Sequence, residues 1–367
     1  MLDQFYYDYY FNNIVNSMKT LKNSPEKLVS LSDGIAGSLL ILSTFSKYEY
    51  QRERSITIIE ELLNLLNDIS IPAINPSLWG GITGLNLSLK LCQNFQNIFQ
   101  LSDTIIQLDD YIKRTVIFLE KKNQFDISSY DMMYGICGRL VYMLQNDKQV
   151  FWSEIIYAHK LLTQIVTSDI LEKIDSMGIA HGISGMLGTF IKCQEAGIES
   201  MYYIDVLLDF LLKKSISIYP FMYWKTSSDE TLLEMNYSWC RGLSGIYSTI
   251  IKAYQLKKSS NEFLFQKQYK KSLIYLLNHK EFIQRHYSLF CHGISGILYD
   301  IFLLDSDIEY NAILKVLYDI LTQNINEVDF TKSQDLSLLN GLGGILLVDF
   351  AISKNIRIPK DYIFLKG

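Results

Sequence analysis

A pair of glycines separated by two residues recurs seven times along this chain and constrains its fold more than any other feature. The first glycines of the pairs are Gly34, Gly81, Gly135, Gly182, Gly242, Gly293 and Gly341. Each pair is followed by an apolar stretch such as ILYDIFLL, and amphipathic segments such as residues 54–69 lie between pairs. Self-similarity of this length is typical of architectures built from repeated supersecondary units.

The segments between the glycine pairs predict helices. Their apolar residues recur at about i, i+3, i+4 and i+7, and the chain has only five prolines and no convincing strand alternation. Asp33 and Ser77 precede early pairs, as residues near a helix start do. We therefore predict that each pair opens a helix and that each repeat holds two helices. Glycine lowers helix propensity there but permits close backbone approach.

Helix starts that crowd together need small residues, which favours a closed arrangement. We predict an all-α fold, an α/α toroid (barrel) of seven inner and seven outer helices closed head to tail. An open solenoid of helix pairs would explain the period as well. The closed barrel is favoured because the glycine register hardly drifts, and we expect residues 1–367 to form this single domain.

Composition and charge exclude several classes of protein. The net charge is −5 and no run is dense in lysine and arginine, so we expect no nucleic-acid partner. No basic segment followed by an apolar run opens the chain, and no stretch is long and apolar enough to span a membrane. Five cysteines at irregular spacing predict reduced thiols and a cytoplasmic location.

The glycine register aligns the residues that precede each pair. One residue before the first glycine stand Asp33, Gly80, Tyr134, His181, Arg241, His292 and Asn340. Two residues before it stand Ser32, Trp79, Met133, Ala180, Cys240, Cys291 and Leu339. In a closed barrel these positions form one layer at one mouth. Reactive side chains concentrate in repeats four to six, so we predict the functional site there.

Cys240, Cys291 and His292 form a three-ligand set suited to zinc. Two thiolates and one imidazole are typical of catalytic zinc sites that keep a fourth position for water or substrate. The alternative is that both cysteines are small buried hydrophobic residues, as free cysteines often are. Their shared repeat position, with a histidine beside one of them, favours the metal site. The other three cysteines lack such neighbours, and we expect core positions for Cys92, Cys137 and Cys193.

His181 is the candidate general acid or base, because it occupies the repeat position of His292 and histidine exchanges protons near neutral pH. The alternative is a core or helix-capping histidine. Asp131 lies four residues before Gly135 and either reaches the same mouth or is a solvated loop residue. Helix N-termini aimed at this mouth would favour bound anions such as thiolates or enolates.

The stretches AHGISG, SWCRGLSG and FCHGISG, in this order within seven glycine pairs, resemble the lanthionine synthetase C-like family, in particular its stand-alone lantibiotic cyclases. The resemblance implies an α/α barrel with a central zinc ion that activates a cysteine thiol of a precursor peptide. The thiol adds to dehydroalanine or dehydrobutyrine and closes a thioether ring. By this resemblance Cys240, Cys291 and His292 are the zinc ligands. His181 protonates the enolate, and Asp131 lies near it.

Two positions depart from the family pattern. Arg241 stands where members usually have tyrosine, and Asn236 stands where many have arginine. We interpret Arg241 as the replacement for that positive charge, which would hold a peptide carbonyl. The alternative is an outward-facing arginine in a surface ion pair. Some members carry an inserted small domain, for which the segment between Gly37 and Gly81 leaves no room.

The resemblance also implies partners: a dehydrated precursor peptide, and a dehydratase and an export transporter in a biosynthetic complex. Through such partners the protein would lie at the inner face of the cell membrane.

Two other functions stay open. One is another zinc-thiolate alkyl transferase, such as a protein prenyltransferase subunit, although the basic cluster that binds diphosphate is not seen. The other is a non-catalytic, zinc-containing member that binds peptide or glutathione.

Overall fold

The structure is a computed structural model that describes residues 2–67, 75–93, 100–121, 130–146, 148–226, 235–279, 288–304, 308–327 and 335–359. Nearly all regular structure in these residues is helical. Seven helices begin at the glycine pairs: α3 (Ile35–Lys47), α5 (Ile82–Cys92), α7 (Ile136–Gln145), α9 (Ile183–Glu195), α11 (Leu243–Leu256), α13 (Ile294–Leu303) and α15 (Leu342–Lys354). The prediction that each pair opens a helix is therefore confirmed.

The remaining helices alternate with these seven. They are α1 (Gln4–Lys19), the short α2 (Pro25–Val29), α4 (Arg52–Asn64), α6 (Ser102–Lys121), α8 (Trp152–Val166), α10 (Met201–Lys214), α12 (Asn261–Asn278) and α14 (Ile308–Glu327). Helix α1 packs against both α4 and α15. Helix α1, which comes from the N-terminal end of the chain, therefore lies beside the inner helix of the last repeat.

The chain divides into two compact units. One comprises Met1–Gln124 and Val328–Lys360, and the other comprises Phe125–Glu327 and Asp361–Gly367. The first unit contains α1 to α6 and α15, and the second contains α7 to α14. Every candidate site residue of the sequence analysis falls in the second unit. That residues 1–367 form a single domain stays a prediction.

Each unit has an inner and an outer layer of helices. The glycine-capped helices are mostly apolar and are buried on nearly all sides; in α3 every residue from Ile35 to Ser46 is buried. The other long helices are amphipathic and bury one stripe, as α10 does with Ile204, Leu207, Leu208, Phe210 and Leu211. This difference follows from sequence, because a helix that is hydrophobic all round needs neighbours on every side.

Close packing explains the glycines at the helix starts. Gly242, the N-cap of α11, has extended backbone, and a Cβ atom there would overlap the carbonyl oxygen of Asn236. A Cβ atom on Gly245 would overlap the carbonyl oxygen of Trp239 and lie 3.1 Å from Cδ1 of Ile179 in the preceding repeat. Close approach of backbone is therefore observed at these positions, but it lies between the helix start and its own preceding loop, and the neighbouring repeat contributes a side chain.

One element differs from the predicted all-helical pattern. Strand β1 (Ile216–Ile218) pairs antiparallel with β2 (Phe221–Tyr223) in a short hairpin. The hairpin is anchored on α11, because the Tyr247 hydroxyl accepts from the Met222 N–H at 2.9 Å and donates to the Met222 carbonyl at 3.0 Å. Strands of three residues are too short to show alternation in sequence.

Within the described parts of the chain, no helix is both long enough and apolar enough to cross a bilayer.

We expect Gly245→Ala to destabilise the protein. Alanine gains up to about 1 kcal/mol in helix propensity, but overpacking against a backbone oxygen costs about 1–3 kcal/mol. The melting temperature should fall. Ser248→Ala on the same helix adds no atom and is the matched control. A Gly245→Ala protein that melts at or above the parent temperature would contradict the close-packing explanation.

Candidate functional site

The loops that precede the inner helices of the second unit lie side by side, joined by backbone hydrogen bonds. The Met132 N–H donates to the Ala180 carbonyl at 3.2 Å. The Ala180 N–H in turn donates to the Cys240 carbonyl at 2.9 Å, and the Cys240 N–H donates to the Cys291 carbonyl at 3.4 Å. Residues that share a repeat position in sequence are therefore neighbours in space.

This arrangement brings the three predicted metal ligands together. The ligand atoms of Cys240, Cys291 and His292 all lie within 4.8 Å of one another, and Cys291 Sγ is 4.0 Å from His292 Nε2. A tetrahedral zinc ion, with bonds of about 2.3 Å to sulfur and 2.0–2.1 Å to nitrogen, would hold such atoms about 3.5–3.8 Å apart. The donor set and its spacing therefore fit zinc after small side-chain adjustments.

The thiols of the chain fall into two groups. Burial raises the pKa of Cys92 and of Cys137 to about 12, and also raises that of Cys193, which agrees with the predicted core positions. The pKa of Cys240 is instead lowered, chiefly by the hydrogen bond with Cys291 and further by His292, although burial opposes this shift. Of these four thiols, Cys240 alone has its pKa shifted toward the thiolate, the form that binds metal.

Asp131 occupies a repeat position at which most repeats of this chain have serine. In four other repeats the serine four residues before the first glycine accepts the N–H of the residue just before that glycine; these serines are Ser30, Ser77, Ser238 and Ser337. Asp131 Oδ1 accepts from the Tyr134 N–H at 2.6 Å and from the Gly135 N–H at 2.9 Å. A carboxylate has a second oxygen, which leaves it able to bind another group.

That second oxygen binds His181. Asp131 Oδ2 lies 2.7 Å from His181 Nδ1, and because a carboxylate accepts, Nδ1 carries the hydrogen. The Tyr130 hydroxyl donates to the His181 carbonyl at 2.8 Å, which fixes the backbone. The imidazole is 33% exposed, and Nε2 makes no hydrogen bond to any residue that the structure describes. Nε2 is thus the nitrogen available to a ligand.

Arg241 is exposed and lies between Cys240 and the N-cap Gly242. Its backbone packs against Gly178, where an added Cβ atom would lie 2.5 Å from the Arg241 Cα. Its N–H donates to Ser238 Oγ at 3.4 Å. Among the described ion pairs and side-chain hydrogen bonds, none involves its guanidinium group. The alternative of a surface ion pair therefore finds no support in the described residues.

Asn236 has a structural task in the loop before α11. Its Oδ1 accepts from the Ser238 N–H at 2.8 Å, and its carbonyl accepts from the Leu243 N–H at 2.8 Å. Asn75 and Asp335 form the same turn with the serines two residues after them. Sequence reasoning missed this signal, an Asn or Asp six residues before the first glycine in three repeats.

Comparison with known proteins identifies the class of protein that this fold and site define. A family model described as lanthionine synthetase C-like protein matches residues 25–360, so the chain belongs to that family. The structure is similar to a solved structure described as nisin cyclase, with a TM-score of 0.79, 18% sequence identity, and coverage of 97% of this chain and 96% of that one. No significant match was found among curated protein sequences.

At 18% identity the structural likeness shows the fold alone. The chain has the α/α toroid fold class, as predicted from the glycine register. The likeness to nisin cyclase therefore supports, for this chain, a lanthionine cyclase fold, while the chemistry must be argued from the side chains described above.

We expect Asp131→Ser and Asp131→Ala to differ in stability. Serine restores the turn that four other repeats use, whereas alanine leaves two backbone N–H groups without their acceptor, at a cost of about 1–3 kcal/mol. The melting temperature of Asp131→Ser should therefore lie above that of Asp131→Ala. Equal melting temperatures would show that Oδ1 does not support the loop.

Proposed function

We propose that this protein is a zinc-dependent peptide cyclase that forms lanthionine and methyllanthionine thioether rings in lantibiotic biosynthesis. One observation carries the proposal. The Cys240–Cys291–His292 group and the Asp131–His181 pair are adjacent, because the Ala180 N–H, next to His181, donates to the Cys240 carbonyl at 2.9 Å. Family membership and the likeness to nisin cyclase support the same reaction.

Cys240, Cys291 and His292 would hold one zinc ion per chain. When bound, zinc supplies a positive centre that lowers the pKa of a substrate thiol toward neutrality. Two thiolates and a neutral imidazole balance the charge of the ion. The backbone hydrogen bond from the Cys240 N–H to the Cys291 carbonyl holds the two cysteines side by side.

His181 would move the proton that the reaction requires. In the addition, the peptide sulfur forms a bond to the β-carbon, and the electron pair of the double bond moves to the α-carbon and its carbonyl. His181 Nε2 takes the thiol proton and returns a proton to the α-carbon, so the overall reaction neither gains nor loses atoms. Asp131 is a positioning residue, since its hydrogen bond to Nδ1 fixes the tautomer and the orientation of the ring.

Arg241 would stabilise the oxygen that becomes anionic during the addition. Its guanidinium is always charged and always a donor. The side chain is exposed, beside Cys240, and bonded to no described residue, which leaves it free to meet a peptide carbonyl. Arg241 would thus supply the positive charge that is missing at position 236, where the Asn236 side chain is hydrogen-bonded within its turn.

The substrate would be a dehydrated precursor peptide, and a dehydratase and an export transporter would be partners in a complex. A cytoplasmic location, with contact to the inner face of the membrane through those partners, completes the proposal.

A second candidate is a zinc-containing protein that binds peptide or glutathione without catalysis. The departures at Asn236 and Arg241 are the observations that favour it.

Zinc analysis tests the ligand set. We expect about one zinc per chain in the purified protein and almost none in Cys291→Ala, because two ligands do not complete a tight site. Cys193→Ala removes a buried core thiol instead and should keep its zinc. Full zinc retention by Cys291→Ala would contradict the assignment.

Incubation with a dehydrated precursor peptide, followed by counting of free thiols, tests the reaction. The parent should consume thiols, and zinc-loaded His181→Asn should be slower by about 10²–10⁴-fold, the usual contribution of a general acid or base. Zinc-loaded Arg241→Gln should lose about 10²–10³-fold, as when one oxyanion donor is removed. His279→Asn, which alters a histidine stacked on Tyr275, is the matched control.

Three outcomes would contradict this account. A parent that binds the peptide but consumes no thiol would favour the non-catalytic alternative. A folded His181→Asn protein at the parent rate would remove the proton-transfer role. A rate within about threefold of the parent for Arg241→Gln would leave that arginine a surface residue.

A further inference from the structure

The ring of Tyr134 stacks beside the imidazole of His181. The two ring centroids are 6.0 Å apart and the ring planes meet at 23°. Near-parallel rings at this separation are strongly offset, so the tyrosine ring packs against the side of the imidazole rather than over its centre. The tyrosine side chain is 53% exposed, unlike most large aromatic side chains of the second unit. Its exposure and its contact together call for an explanation.

Tyr134 occupies the same repeat position as the residues to which we assign a role in catalysis or metal binding. It directly precedes the first glycine of its repeat, as His181, Arg241 and His292 do in theirs. In each of these repeats that residue is at least partly exposed, whereas the glycine after it is buried. Tyr134 therefore belongs to the same accessible layer and lies beside His181.

One carboxylate anchors both members of the stack. Asp131 Oδ1 accepts from the Tyr134 N–H at 2.6 Å, and Asp131 Oδ2 binds His181 Nδ1 at 2.7 Å. The imidazole is thus held on one side by the carboxylate and contacted on another by the phenol ring. A single hydrogen bond permits rotation about its own axis, and a stacked ring restricts that rotation.

We infer that Tyr134 is a positioning residue for His181, whose ring holds the imidazole so that Nε2 faces the substrate. The inference rests on the proposed function. The contact joins the two rings, so the inference assigns the role to the aromatic ring and not to the hydroxyl group. A displacement of about 1 Å in a reacting group can lower a rate about 10²-fold.

Rates of ring closure by zinc-loaded variants test this inference. We expect Tyr134→Leu to lower kcat by about 10- to 100-fold, and Tyr134→Phe, which keeps the ring, to be at least about 10-fold faster than Tyr134→Leu. In a His181→Asn background the leucine substitution should cause no further loss of kcat, because its effect acts through His181. Equal losses for phenylalanine and leucine would assign the role to the hydroxyl and overturn the inference, as would losses that multiply in the double variant.

A second readout does not depend on activity. The proton on Cε1 of His181, identified in NMR spectra by its loss in His181→Asn, should carry a ring-current shift that Tyr134→Phe keeps and Tyr134→Leu removes. Tyr275→Leu is the matched control, because Tyr275 stacks on His279 with centroids 3.9 Å apart. It should move the His279 resonance and leave that of His181 unchanged.

These two readouts separate the inference from the proposed function. A parent that closes no ring would refute the cyclase proposal and leave the stack to be judged by NMR. A His181 resonance unchanged in Tyr134→Leu would overturn the inference whatever the activity.

Discussion

The close approach of backbones at the starts of the inner helices is the constraint on which the rest of this structure depends. At Gly242 and Gly245 a side chain would overlap carbonyl oxygens of the loop before the same helix. Without side chains at these points, the loop folds tightly onto the helix start. The loop edges then pair by hydrogen bonds between repeats, from Met132 through Ala180 and Cys240 to Cys291. The spacing of the candidate site is set by that backbone pairing.

The same loop positions serve turn formation in some repeats and chemistry in others. The serine position is occupied by aspartate in the third repeat, where one oxygen of Asp131 keeps the turn and the other binds His181. The turn holds the residue before the first glycine by its backbone N–H, so the side chain at this position can vary from Asn340 to His181 or Arg241 while the turn is kept. A repeat scaffold of this kind tolerates new chemistry because the turn needs only one side-chain acceptor.

Much of the fold and of the candidate site could be predicted because the information lies in local register. The glycine spacing predicts the inner helices, and the shared position of Cys240 and Cys291 predicts their proximity once loops of neighbouring repeats are assumed to align. The β1–β2 hairpin could not be predicted, since three-residue strands leave no periodic signal. The stack of Tyr134 on His181 was also missed, because it depends on the orientation of rings from different repeats.

The central claim is that the repeat register places Cys240, Cys291 and His292 on one zinc ion. X-ray absorption at the zinc edge of the purified protein tests this claim most directly, since it counts the sulfur and imidazole ligands of the metal. The account predicts two sulfur ligands and one imidazole, with one sulfur fewer in any residual zinc of Cys240→Ser. A zinc environment of oxygen and nitrogen alone, or of four sulfurs, would contradict it.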